Sequence, residues 1–469
     1  MNTNNKIVTR ELINKDIIFQ DSIDNPVPYN YDQICSMINR IKHFLLKNGA
    51  EKGDTVVIIH HSINFFHTCC IFACSELGLK FLMADYPATL ESLPYNKIAV
   101  YKPIKFTISS RTITNELVLE LVRRYGNKVL YEEEMNEKED NDIQPWDVYP
   151  DDPLLVTSSS GTTNWSKKVV FSQKEVYIHG HENINLCKYE DDDRTMQVKN
   201  LHHGASMMIT FLPSLITSKK HVGAGMPEYK SLFLKNPKYY ERLVTYLEKE
   251  KINRLMIINE NILDEFVKTV ERTIGKFTRT LKITTFTLIV SPKLIEYCKK
   301  YNLEFMSIFG SLDAKIIPLA CNHITKDSEF LPMYLGKIHP YYRVHEYLGD
   351  SLYTFKDRDH DDIRIIHDRL EMLDDGGIIL KGRLLDENKD IREKTEPHVR
   401  GDFAVVQNGD DRYLALFDRN EDITNEMREL GYKNIMHIDK EAFYVESHKL
   451  NYDALRGHFI YYDTHEYQW

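Results

Sequence analysis

What this chain has little of narrows it first. No apolar stretch reaches the roughly 20 residues that a membrane-spanning helix needs. The opening MNTNNKIVTREL lacks the apolar centre of a secretory signal. Together these predict a cytoplasmic protein rather than an exported or membrane-spanning one. Basic charge is in deficit: 60 Lys and Arg stand against 70 Asp and Glu, a net charge of −10 with histidine neutral. Broad electrostatic binding to nucleic acid or to an anionic membrane is therefore not expected. Cysteine is sparse and scattered, with seven residues at 35, 69, 70, 74, 187, 298 and 321. That pattern reads as reduced thiols, not as a disulfide framework. Cys70 and Cys74 stand four apart in a helical pattern, but no second Cys/His pair follows at zinc spacing, so both are expected to be small buried hydrophobes. There is no internal repeat and no low-complexity tract.

What is present suits a large, mostly folded chain. A chain of 469 residues exceeds one simple core and predicts two or three domains or subdomains, and a hydrophobic content of 42 % is that of globular proteins. Residues 31–49 place Ile34, Met37, Ile38, Ile41 and Leu45 at helical spacing, with Gly49 as a stop. Residues 52–60 read as a turn into a buried strand, 62–78 as a second apolar helix, and 80–87 as a second strand closed by Pro87. Helices between short apolar strands predict an α/β fold with parallel sheets. The acidic stretch 128–153 reads as a surface connector. Residues 238–258 give an amphipathic helix and a strand, and 278–313 give strand, helix, strand and loop. From about residue 330 onward, Gly and Asp turns punctuate short strands such as 376–385, 403–407 and 412–418, which predicts a smaller β-rich subdomain.

The most hydroxyl-rich loop, SSSGTTNWSKK at 158–168, follows a strand. Hydroxyls, closely approachable backbone N–H groups and a lysine suit phosphate oxygens. The spacing is not the G-x-x-x-x-G-K-S/T of a P-loop. The run from Ser159 to Val169 instead resembles the phosphate-loop signature of the AMP-binding, adenylate-forming enzymes: acyl-CoA synthetases, luciferases and nonribosomal peptide synthetase adenylation domains. Ser160, Gly161, Thr162, Thr163, Lys167 and Val169 match the family's pattern T/S-S-G-T/S-T-G-x-P-K-G-V. Asn164, Ser166 and Lys168 depart from it, replacing glycine, proline and glycine. Asn48–Val56 is similar to the family's G-x-x-K-G-D-x-V turn. Leu201-His202-His203-Gly204 is similar to F-H-x-x-G. Phe309-Gly310-Ser311-Leu312-Asp313 is similar to Y-G-x-T-E, Arg400-Gly401-Asp402 to T-G-D, and Asp418–Ile423 to the hinge G-R-x-x-D-x-I. These segments follow the family's order over residues 30 to 425.

The resemblance implies two α/β layers with parallel-rich sheets plus a smaller β-rich subdomain. It places a large adenylation domain at 1–418, with α/β subdomains to about 330 and the β-rich part over 331–418, and a short C-terminal remnant at 419–469. It implies ATP and Mg²⁺ as cofactors and ligation of an acid to a thiol or an amine. Ser159, Ser160, Gly161, Thr162, Thr163 and Lys167 would bind the phosphates, with Thr162 and Lys167 taking part in catalysis. His202 would stand beside the acid. Phe309 and Gly310 would meet the adenine, Asp402 the ribose, Arg419 the ribose or a phosphate, and Asp313 the metal. The residues themselves leave plainer roles open: a solvated Lys167, turn aspartates at 313 and 402, a packed histidine at 202 or 203, and a core Phe309. Arg419 can equally pair with Asp418 or Asp422.

Ile289-Val290-Ser291-Pro292 stands where the family has Gly-Gly-x-Pro. The family's C-terminal domain carries a catalytic lysine, and only 50 residues follow Arg419 here; Lys433, Lys440 and Lys449 lie in no recognisable G-K motif. The expectations are therefore an active ligase, an enzyme completed by a partner protein, or a non-catalytic nucleotide or acyl-adenylate binding protein. The acceptor is left among coenzyme A, a carrier-protein thiol and an amine.

Overall fold

The computed structural model describes residues 6–24, 27–60, 64–85, 104–110, 127–135, 141–158, 168–198, 201, 204–223, 232, 236–256, 260–285, 291–311, 314–349, 351–358, 363–366, 368–383, 403–408, 411–416 and 434–437. Two short strands, β1 (Ile18–Gln20) and β2 (Pro28–Tyr29), precede helix α1 (Tyr31–Lys47). The helix starts where Asn30 can cap it: the Gln33 N–H donates to Asn30 Oδ1 at 3.0 Å, and the Asn30 N–H donates to Gln33 Oε1 at 2.9 Å. Ile34, Ile38, Ile41 and Leu45 form its buried stripe, as their spacing predicts.

The first sheet is built from β3 (Thr55–His60), β4 (Lys80–Asp85), β5 (Phe106–Ser109), β6 (Lys128–Tyr131), β7 (Pro153–Ser158) and β8 (Lys168–Ser172). Their order is β6-β5-β3-β4-β7-β8; all neighbours are parallel except the β7–β8 pair. Helix α2 (Phe65–Glu76) joins β3 to β4 and is buried at every residue, which its apolar circumference requires. Cys70 and Cys74 lie within it as packed hydrophobes, and burial pushes both thiols up.

One expectation needs correction here. The acidic 128–153 stretch is not wholly a connector: residues 128–131 are the edge strand β6, with only Leu130 buried. Further on, Asp142 accepts from Lys42 Nζ at 2.7 Å and the Trp146 indole donates to Leu77 O at 2.7 Å. Lys42 and Arg10 both grip Glu76. Burial raises the Glu76 carboxyl, yet the Arg10 and Lys42 charges outweigh it and hold the group below its usual range.

After helix α3 (Gln173–Leu186) comes β9 (Arg194–Gln197). A helical stretch, α4, then runs as Gly204–Ser206, a π-helical segment Met207–Phe211, and Leu212–Thr217. It is followed by β10 (Lys220–Gly223), α5 (Pro237–Lys249), β11 (Arg254–Met256), α6 (Glu260–Thr273), β12 (Leu281–Thr285), α7 (Pro292–Tyr301), β13 (Leu303–Ser311), β14 (Ile316–Ile324) and β15 (Tyr334–Ile338). Three strands, β16 (Tyr342–Gly349), β17 (Leu352–Asp357) and β18 (Ile363–Ile365), form a small antiparallel sheet; β19 (Asp368–Met372) and β20 (Gly377–Arg383) return to the main one. The second large sheet has eleven strands in the order β19-β20-β15-β14-β13-β12-β11-β9-β10-β1-β2. Its middle, from β1 through β13, is parallel, and its flank from β13 to β19 is antiparallel. This is the predicted α/β architecture of two parallel-rich sheets with a β-rich part. A last sheet pairs β21 (Phe403–Asn408) with β22 (Asp411–Leu416), and β22 runs parallel to β23 (Asn434–His437), so residues before and after 418 share a sheet.

Strand alternation divides the second sheet's two faces. Met196, Leu255, Ile283, Leu303 and Phe305 face α5, α6 and α7. Met306 and Ile308 face a larger core shared with α1–α4 and the first sheet. Two histidines are sealed in these cores: His179 on α3, and His221 on β10, stacked on Phe19 at 5.1 Å and 2.7 Å from Ser214 Oγ through Nδ1. Burial drives both rings down to about 3, aided at His179 by nearby Arg364. The unfolded chain takes up these protons near pH 6.5, the folded chain only near 3. Stability is therefore expected to fall as pH drops through that window, by up to about 1.4 kcal/mol per pH unit for each histidine. Urea unfolding from pH 7 to 4 checks this, comparing wild type with a His179→Gln/His221→Gln double variant. An equally steep fall in the double variant would contradict neutral burial.

Candidate functional site

Four parallel strands of the second sheet, β9 to β12, end level with one another, and β13 runs on past them. Gly223, Gln197, Met256, Thr284 and Met306 stand in register across β10, β9, β11, β12 and β13. The chain segments that leave this edge include 199–203 after β9, 286–290 after β12 and 312–313 after β13. Of the family-like segments, 201–204 follows β9 in sequence, and 309–313 begins in the last residues of β13, in the same sheet. In open α/β sheets, ligands bind outside the carboxyl ends of the strands, because loops there diverge and backbone groups are left for them.

On the first sheet, β7 and β8 pair antiparallel up to Ser158 opposite Lys168, which makes the 158–168 segment the connection of a hairpin. Helix α3 starts directly after β8, at a Ser172 cap. The Glu175 N–H donates to Ser172 Oγ at 3.2 Å, and the Ser172 N–H donates to Glu175 Oε2 at 2.8 Å. Thus the strand that follows the family-like segment runs straight into a capped helix.

Of the residues singled out from the sequence, Phe309 and Gly310 are described. Phe309 is 4 % exposed and packs with Ile178, Ile316 and Leu319. It occupies an inward position of β13. Gly310 has a backbone reason: a Cβ there would lie 2.6 Å from Ile316 O and 3.2 Å from Pro318 Cα. The β13–β14 turn therefore closes only over a glycine. Ser159, Ser160, Gly161, Thr162, Thr163, Lys167, His202, Asp313, Asp402 and Arg419 lie outside the described residues, as do Ile289 and Val290.

The structure adds polar groups that sequence pattern did not single out. Gln197, Met256 and Thr284 point to the face covered by α4, opposite Leu255 and Ile283. Thr210 Oγ1 lies 2.7 Å from Gln197 Oε1 and 3.2 Å from Met256 Sδ. Beside them, the buried hydroxyls Ser206 Oγ and Thr284 Oγ1 have no hydrogen-bond partner among the described residues. Buried polar atoms are ordinarily satisfied, so two orphan hydroxyls under the carboxyl edge mark a place for a polar ligand. Isolated hydroxyls inside apolar runs such as ASMMITF carry no periodic signal, which is why sequence reading passed over them. Among the described residues, no group of three or more His, Cys, Asp or Glu is placed to hold a metal ion. Mg²⁺ binding through one or two carboxylates and nucleotide phosphates does not need such a group. None of the described helices is long and apolar enough to cross a membrane.

Comparison with known proteins agrees with this geometry. Residues 14–231 match the family model described as AMP-binding enzyme. No curated protein matches the sequence. Among solved structures, the chain is similar to McyG A-PCP complexed with phenylalanyl-adenylate, at 14 % identity and a TM-score of 0.72, covering 97 % of this chain and 96 % of that one. It is similar to ATP-bound MatB from Rhodopseudomonas palustris, at 13 % identity and a TM-score of 0.70, covering 95 % and 96 %. It is also similar to a fatty acyl CoA synthetase of Mycobacterium tuberculosis, at 15 % identity and a TM-score of 0.68, covering 94 % and 95 %. Residues 14–231 are thus similar to the AMP-binding family, and the chain has the fold of these adenylate-forming structures.

Proposed function

We propose that this protein activates a carboxylic acid with ATP, forming an acyl-AMP and pyrophosphate, and passes the acyl group to a thiol or an amine. The observation that carries the reading is the shared sheet. Segments 201–204 and 309–313, each similar to an adenylate-forming signature, follow β9 and begin in the last residues of β13, two strands of one sheet, in a chain whose residues 14–231 match the AMP-binding family. In the reaction, a carboxylate oxygen attacks the α-phosphorus, and the bond from that phosphorus to the bridging oxygen breaks as pyrophosphate leaves. The demand is charge neutralisation and positioning.

Ser159, Ser160, Gly161, Thr162, Thr163 and Lys167 are assigned to the phosphates, where hydroxyls donate and the lysine supplies charge. Asp402 is assigned to the ribose hydroxyls, Arg419 to the ribose or a phosphate, Asp313 to Mg²⁺, and His202 to the acid's side of the site. The Ser206 and Thr284 hydroxyls favour a small acid that carries a hydrogen-bonding group over an aliphatic one, because an apolar ligand would leave them unpaired. The domain reading follows: an adenylating body over 1–418 and a C-terminal segment over 419–469. Coenzyme A, a carrier-protein thiol and an amine all fit as acceptors.

ATP–pyrophosphate exchange over a panel of small, aryl, hydroxy, keto and amino acids tests the reading. Exchange is expected with at least one acid, and at least tenfold better with a hydrogen-bonding acid than with its aliphatic isostere. ATP binding without exchange for any acid would favour the second reading, a non-catalytic nucleotide or acyl-adenylate binder. That alternative draws on Ile289 and Val290, which stand where the family has two glycines.

A further inference from the structure

A charged cluster outside the assigned residues joins the helix start after β8 to the residues that lead into β14. Lys315 and Ala314 follow the end of β13; Phe171 and Ser172 end β8, the strand that leaves the 158–168 loop. Lys315 Nζ donates to both oxygens of Glu175, at 3.0 and 2.9 Å, and lies 5.4 Å from the centroid of the Phe171 ring. Its own backbone is left-handed, at φ 54°, a conformation that a side chain tolerates only when its surroundings hold it. Glu175 also accepts the Ser172 N–H in the cap of α3, so one carboxylate serves both the helix start and the β13–β14 turn.

A third element completes the cluster. Arg364 of β18 binds Asp357 of β17 through two parallel contacts, Nε to Oδ1 at 3.0 Å and Nη2 to Oδ2 at 2.9 Å. Its Nη1 donates to Ala314 O at 3.3 Å, and its Nη2 lies 3.7 Å from Glu175 Oε1. Two cations and two anions thus balance. Arg364 is 12 % and Asp357 5 % exposed at the side chain, so this part of the pairing is largely removed from water and worth more than a surface ion pair.

We propose that Lys315, Glu175, Arg364 and Asp357 form a clasp that fixes the β8–α3 junction, the start of β14 and the β17–β18 pair relative to one another. These are positioning residues: none is assigned to ATP or acid, and each acts through the strand end or cap it holds. The proposal rests on the adenylation reading for what the 158–168 and 309–313 segments bind, but the coupling itself is measurable without any ligand.

The test uses hydrogen exchange and ATP–pyrophosphate exchange on full-length wild type, Lys315→Ala, Lys315→Arg and Glu175→Gln. Glutamine keeps a capping-box side chain at 175, so that variant isolates the charge if Lys315→Ala fails to fold. In Lys315→Ala and Glu175→Gln, peptides covering 168–176 and 314–321 are both expected to exchange at least tenfold faster, with β3 and α5 unchanged. The KM for ATP is expected to rise at least tenfold, and Lys315→Arg is expected to stay within about threefold of wild type in both readouts. Unchanged protection in both segments, or acceleration spread evenly over the molecule, would overturn the clasp. Coupled loss of protection together with a wild type that neither binds ATP nor supports exchange would retain the clasp and reject the adenylation reading.

Discussion

Lys167→Ala is expected to lower acid-dependent ATP–pyrophosphate exchange by about 10²–10³-fold, the scale seen when one preorganised charge-stabilising group is taken from a reacting centre. Lys167 is the one cation within the hydroxyl-rich run from Ser159 to Lys167. If it meets the phosphates, its loss leaves charge uncompensated where pyrophosphate departs. Lys167→Arg keeps the charge but changes its shape, and is expected to retain part of the activity. Steady-state exchange checks both, with thermal unfolding as control. Wild-type ATP affinity and exchange in Lys167→Ala would show that the loop does not cradle phosphates.

Arg254→Ala is expected to cost about 3–5 kcal/mol of stability, the second large effect, because it strands a buried charge. Arg254 is 1 % exposed; its Nε donates to Asp193 Oδ2 at 2.8 Å, its Nη1 to Cys187 O at 3.0 Å and its Nη2 to Lys188 O at 2.5 Å. Its guanidinium also lies 3.8 Å from the centroid of the Tyr189 ring. After truncation, fully buried Asp193 would keep Asn253 as a partner, at 2.8 Å, and lose its countercharge. Two carbonyls would lose donors as well. Replacing both partners, as Asp193→Asn/Arg254→Met, is expected to cost less than Arg254→Ala alone, since no unpaired charge remains. Urea midpoints at pH 7 decide this. An Arg254→Ala cost under about 1 kcal/mol would show that the site relaxes or admits water. Arg254 opens β11, two residues before Met256 in the row beneath the carboxyl edge, so losing its anchor is also expected to loosen that row.

Much of this architecture was legible because apolar periodicity and capping residues agree. The stripe of α1, its Gly49 stop and the strand–helix–strand order over 278–313 point the same way at the local and tertiary levels. Strand β6 was hidden because an edge strand needs little apolar surface: Lys128 and Val129 are not buried, and acidic residues follow immediately. Arg254 was hidden for the opposite reason. An arginine opening an apolar run looks like a solvated terminus, and only the distant Asp193 and the carbonyls of residues 187 and 188 make its burial tolerable. In the candidate site, the family-like segments were visible as short ordered motifs. The orphan hydroxyls of Ser206 and Thr284 were not, since what singles them out is a missing partner in three dimensions.

The central claim, acid adenylation, is tested most directly by following the α-phosphate. The full-length protein is mixed with ATP labelled at the α-phosphorus, Mg²⁺ and an acid selected by the exchange panel. The products are then resolved with and without hydroxylamine. The predicted result is acid-dependent pyrophosphate release matched by labelled acyl-AMP, which hydroxylamine converts to labelled AMP and a hydroxamate. Bound, intact labelled ATP with no acid-dependent pyrophosphate, for every acid offered, would contradict it.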